Sequence, residues 1–157
     1  MIIQIDDWKF RVLTVSNRRY YVREVAEHCT CAWCRNFYQS VDDQYPDLRS
    51  FLDRFGIHIE APAELLAPNP MLCSCYYGVY GEILEQGSGD ILVNGVAISP
   101  QTPEEAMVNT DMEGPIFFLQ VGCMTLPWVL DEPIEEAESP AKSQNFIQRL
   151  LRRWITE

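Results

Sequence analysis

Ile91-Leu92-Val93-Asn94-Gly95-Val96-Ala97-Ile98 is the stretch whose reading decides the fold. Two apolar runs flank Asn94-Gly95, and Asn-Gly accepts the positive φ angles that the tightest antiparallel hairpin turn demands. The pattern therefore predicts two short paired strands. Strand character continues on both sides. Upstream, Met71 to Gln86 is rich in aromatics and interrupted by Gly78 and Gly81. Glycines inside a strand mark bulges or close backbone approach. Gly87-Ser88-Gly89-Asp90 reads as a turn. Downstream, Thr102-Pro103-Glu104-Glu105 has the capping-box pattern for about one helical turn. Ile116 to Val129 reads as a long buried strand that Pro127 ends or places at an edge.

Near the amino end, Trp8, Phe10 and Val12 alternate with Lys9 and Arg11, the two-residue period of a half-buried strand. Ser16-Asn17 reads as a turn and Arg19–Val25 as a returning strand. Between these strands lies helical spacing. Thr30 can cap a helix that carries Trp33, Cys34, Phe37 and Val41 on one face. Pro46 suits the first position of a second helix with Leu48, Phe51, Leu52 and Phe55, and Gly56 suits the left-handed position after it. Ile57 to Pro70 reads as irregular, with one helical turn at 62–66. Asp131 to Glu138 holds five acids and a proline, the composition of a linker. Ser139-Pro140 then opens an amphipathic helix whose apolar face is Phe146, Ile147, Leu150, Leu151 and Trp154. The fold class is α+β: an antiparallel sheet, as a sandwich or an open barrel, with a two-helix insertion and a C-terminal helix. One domain is assigned to 1–130 with the insertion at about 31–56, an acidic linker to 131–139, and the C-terminal helix, docked on the domain or on a second copy, to 140–157.

The chain has 157 residues and can close a core without disulfides. Its net charge of −11 is uneven. Residues 1–23 are net basic, the middle is strongly acidic, and residues 142–157 are basic again. An acidic body repels phosphate, so nucleic acid is not the expected partner; a basic protein is. No apolar stretch reaches the roughly 20 residues of a membrane-spanning helix. The first residues lack the basic-then-apolar order of a secretion signal. These readings place the protein in the cytoplasm, where thiols stay reduced.

The chemistry-bearing residues are cysteines. Five of the six cysteines fall in two groups, Cys29-Thr30-Cys31-Ala32-Trp33-Cys34 and Cys73-Ser74-Cys75, with Cys123 alone on an apolar strand and read as core. Thiolates at short spacing in two halves are how tetrahedral zinc sites are built, so Cys29, Cys31, Cys34, Cys73 and Cys75 are the candidate ligands of a structural zinc. The competing reading is small buried apolar residues. A third reading is thiol redox chemistry at Cys31-Ala32-Trp33-Cys34, a C-x2-C at a helix start.

The run C-x-C-x2-C-x-N-F over residues 29–37, followed by a helix and Phe55-Gly56-Ile57, resembles small uncharacterised bacterial proteins, chiefly from gut-dwelling Gram-positive bacteria. The resemblance covers residues 28–64 and Leu126-Pro127-Trp128-Val129-Leu130. It implies a bacterial source and carries no activity with it. Nucleotide loops, G-x-S-x-G and H-E-x2-H are absent. The two histidines, His28 and His58, complete no evident catalytic set. The functional expectation is a non-catalytic binding or adaptor module with a structural zinc; the alternative is a thiol-based redox or metal-handling protein.

Overall fold

In the computed structural model, which describes residues 1–134, the chain opens with a hairpin. Strands β1 (Ile2–Ile5) and β2 (Trp8–Val12) pair across Asp6-Asp7, with Asp6 at φ 53. Trp8, Phe10 and Val12 point into the core, as their alternation predicts. The next segment corrects the sequence reading. Ser16-Asn17 is not a turn and Arg19–Val25 is not a strand; Thr14–Ala26 is one helix, α1. Its tyrosines and valines are residue types that favour strands, but Asn17 and Tyr21, one helical turn apart, both bury against the sheet. Tertiary burial outweighs local propensity here.

Two more helices follow, α2 (Ala32–Gln44) and α3 (Pro46–Asp53), broken at Tyr45. Pro46 occupies the first turn of α3, where its missing N–H costs nothing. Gly56 lies at φ +79, and a Cβ there would come within 2.7 Å of the Thr14 carbonyl oxygen, so both conformation and space require glycine. A second correction concerns 62–66: no helical turn forms. Glu64–Asn69 is strand β3, paired with β4. Pro68 lies where that ladder shifts register, between Leu66 and Asn69.

Strand β4 (Leu72–Glu85) is the spine of the sheet. A hairpin, β5 (Ile91–Val93) and β6 (Val96–Gln101), turns at Asn94 and Gly95, with φ 50 and 75, as the dipeptide predicts. A single turn, α4 (Pro103–Ala106), carries the full reciprocal capping box between Thr102 and Glu105. Strand β7 (Ile116–Thr125) stops before Pro127. The seven strands form one open antiparallel sheet in the order β1-β2-β4-β7-β6-β5, with β3 on β4 off that path. The main core lies between one face of this sheet and the three long helices; Phe10, Tyr77, Phe117 and Leu119 meet Tyr21, Phe37, Leu48, Leu52 and Phe55. A small second cluster, Tyr76, Ala106 and Phe118, covers part of the other face. The helix expected at 140–157 and the linker beyond 134 lie outside the described residues.

One edge of β4 is shared. β3 takes Leu72 to Tyr76 and β2 takes Gly81 to Glu85. The backbone between them is met by α1. The Asn17 carboxamide oxygen accepts from the Tyr80 N–H at 2.7 Å, and its nitrogen donates to the Phe55 carbonyl at 2.8 Å and the Tyr80 carbonyl at 3.4 Å. The Tyr21 hydroxyl donates to the Gly78 carbonyl at 2.8 Å. An Asn17→Ala variant leaves the Phe55 carbonyl and the Tyr80 N–H without these partners, at about 1–3 kcal/mol for each group stranded, while the Tyr80 carbonyl keeps the Leu13 N–H. Urea unfolding is expected to show that loss as a lowered midpoint with an unchanged slope. Asn17→Asp is expected to cost at least as much, because a carboxylate then faces two carbonyl oxygens.

Candidate metal centre

Helix α2 begins at a cysteine. Cys31 is its N-cap residue, with extended backbone (φ −63, ψ 159), and its carbonyl accepts from the Arg35 N–H at 2.9 Å. Cys34 sits three residues on, in the first turn. The preceding loop is folded back onto the helix by two side chains. The Arg35 Nε donates to the Thr30 carbonyl and the Tyr38 hydroxyl to the Cys29 carbonyl, each at 2.9 Å. The His28 ring stacks on Tyr38 with centroids 4.1 Å apart. Arg35 is itself held by an ion pair to Glu132. These tethers bring the sulfurs of Cys29, Cys31 and Cys34 within 4.8 Å of one another, the first exposed, the second half-buried and the third buried.

The five candidate ligands thus separate. Among the described residues, the group of neighbouring ligand atoms consists of Cys29, Cys31 and Cys34, and neither Cys73 nor Cys75 belongs to it. Cys73 and Cys75 face the main apolar core from β4. Cys34 is buried as well, but it belongs to neither of the two apolar clusters. No protein-family model, curated protein or solved structure matches the chain. What the cysteines do must therefore be read from their own chemistry.

Cys123 corrects the sequence reading again: it is exposed, not core. The β4–β7 register runs Tyr76 to Gln120 and Cys75 to Val121, then resumes as Cys73 to Met124. β7 holds one extra residue in that interval. Simple alternation from Val121 would turn Cys123 inward, but the bulge hands the inward position to Met124.

The thiols are electrostatically unlike. Cys31 is pulled down to about 6, first by the hydrogen bond from the Cys34 thiol, then by the amides of Cys34 and Trp33 at the helix start, against a raising effect of burial. Cys34 is pushed far up by the same Cys31 contact and by burial. Burial, then the nearby Cys123, pushes Cys73 up to about 12, and full burial raises Cys75 as well. Tyr38 is raised by burial and by the adjacent thiols. Tyr38 and Arg35, which shape the site, escaped the sequence reading; the available signal was helical spacing, four residues after Cys34 and Cys31.

Lowering of the Cys31 pKa means its thiolate persists to pH near 6 in the folded, metal-free chain, whereas an unfolded cysteine is half-ionised only near 8.5. Iodoacetamide labelling at Cys31, read by peptide mass, is expected to fall roughly tenfold between pH 7 and pH 5 in the native state, following the thiolate fraction. In the same digest Cys73 and Cys75 are expected to stay unlabelled until denaturant is added.

Proposed function

We propose that the protein is a non-catalytic binding module whose α1–α2 connection is organised by a soft metal ion, zinc being the best fit, held by Cys29, Cys31 and Cys34. The mutual proximity of three sulfurs at the start of α2 carries this reading. Tetrahedral zinc with Zn–S bonds of about 2.3 Å sets its sulfurs about 3.8 Å apart. A set already within 4.8 Å needs only small side-chain rotations to reach that spacing. A divalent cation offsets the charge of three thiolates, and it removes the cost of ionising Cys34, whose proton the metal-free site retains. Three protein ligands leave a fourth position for water or for a donor from a partner. The acidic surface, with pI near 4.5, suits a basic partner.

A second reading has its own observation. Cys31, half-exposed, lies beside buried Cys34 in a C-x2-C, the arrangement of an attacking and a resolving thiol. A disulfide oxidant would take two electrons and two protons from the pair.

Reduced full-length protein, loaded with zinc and desalted, is expected to retain about one ion per chain. Cobalt in its place is expected to give a thiolate-to-metal charge-transfer band. Cys34→Ser is expected to abolish both signals, while Cys73→Ala and Cys75→Ala keep them. Tyr38→Phe, which frees the Cys29 carbonyl, is expected to weaken affinity by about tenfold or more. Loss of metal in Cys73→Ala with retention in Cys34→Ser would overturn the assignment. Absence of metal binding together with a Cys31–Cys34 disulfide formed at mild potential would select the redox reading.

A further inference from the structure

A groove of about 770 Å³ runs between β1, the start of α1 and the end of α3, and it shares no residue with the cysteine site. One side of it is apolar, formed by Ile2, Ile3, Val12, Leu13 and Val15. Three of these are large hydrophobics left exposed, Ile2 by 52%, Leu13 by 45% and Val15 by 65%, and all three line the same groove. Ligand sites of small molecules have this volume, and the lining sets an apolar side against polar and charged groups.

Two arginines on the lining favour a negative charge. Lys9, Arg11, Arg23, Arg35 and Arg49 each pair with a carboxylate. Arg18, Arg19 and Arg54 make no ion pair among the described residues, although acids outnumber bases in the chain by 23 to 12. Two of those three, Arg18 and Arg54, line the groove. Helix α1 opens onto the same place without a side-chain cap, because Leu13 stands at its N-cap position. Its first helical bond is Asn17 N–H to the Leu13 carbonyl. The N–H groups of Thr14, Val15 and Ser16 precede that bond and find no acceptor among the described residues. The Thr14 hydroxyl oxygen is buried there without a hydrogen-bond partner. Asp53, also on the lining, opposes a second negative charge and leaves a net of one positive side-chain charge.

We propose that this groove binds an unbranched aliphatic monocarboxylate, its head between Arg18, Arg54 and the first amides of α1, its chain along Ile2, Leu13 and Val15. The head satisfies the unpaired donors, and the chain covers the exposed apolar wall. Neither a neutral amphiphile nor a cation does both.

The full-length protein is titrated with decanoate below its micelle concentration, by calorimetry and by NMR of the labelled chain. The expected result is saturable one-site binding with shifts at Val15 and Ser16. The Arg18→Gln/Arg54→Gln double variant is expected to bind at least tenfold more weakly, while Arg19→Gln, unpaired but off the groove, binds as the parent does. Both arginines are exposed, and unchanged thermal unfolding of the variants confirms that the fold persists. Decanol or decyltrimethylammonium binding as tightly as decanoate would overturn the proposal, as would an unaltered affinity in the double variant or no binding at millimolar decanoate. Sedimentation that shows a dimer dissolved by Val15→Glu would assign the groove to a second copy and overturn it equally.

Discussion

The backbone of β4 must be satisfied along two edges, and one of them is met by three different elements. β7 pairs with the first nine residues on one side, while β3 and β2 share the other. The backbone between β3 and β2 would carry unpaired polar groups into the core if the Asn17 amide did not stand in for a strand. A carboxamide has the donor and acceptor of a peptide group, which is why asparagine fills a position where an apolar residue would leave the ladder open. From this constraint follows the place of α1. Once Asn17 and Tyr21 are tied to Tyr80 and Gly78, the helix can only lie along β4, and Gly56 must be small enough for the following loop to pass beside Thr14.

The same device recurs twice at the far end of the sheet. The buried Asn36 on α2 donates to the Pro127 carbonyl and accepts from the Val129 N–H, fixing the segment after β7 to the helix. The Tyr45 hydroxyl both donates to the Thr125 carbonyl and accepts from the Thr125 N–H. Arg49 joins Asp42 on α2 to Glu60 in the loop before β3. Helices α1 to α3 are thus held by directional side-chain-to-backbone bonds as well as by apolar burial, and the cysteine loop is built on an α2 that cannot rotate freely. Asn36 is two residues from Cys34, so the anchor of the helix and the base of the thiol group are nearly the same place.

Much of this was legible in the residues. Asn94-Gly95 needs positive φ and adopts it; Pro46, Gly56 and the Thr102/Glu105 box each specify a local geometry through one chemical feature. Structure departs from local signals where local preference and long-range pairing disagree. Tyr20, Tyr21, Val22 and Val25 favour extended backbone, and only the distant need of β4 for Asn17 turns them into a helix. Glu64–Asn69 has no strong signature of its own and becomes a strand because β4 offers it an edge. The close set Cys29, Cys31 and Cys34 was readable because it is local. Cys73 and Cys75 looked equivalent, since two residues apart on a strand face the same way whether toward a metal or toward a core. Cys123 depended on a bulge that alternation alone does not reveal.

The pairing of β2 with β4 has a consequence for how the chain reaches this state. Arg11 meets Glu82, 71 positions later, so the β1–β2 hairpin has no inner neighbour until β4 has been synthesised. Helices α1 to α3 emerge from the ribosome before the strand they cover, with Tyr21, Phe37 and Phe55 unshielded. Contacts this distant in sequence are closed late and slowly, because the loop entropy is lost before the pairing is gained. Folding is therefore gated by the arrival of β4, before which the hairpin and the three helices have no sheet to close on.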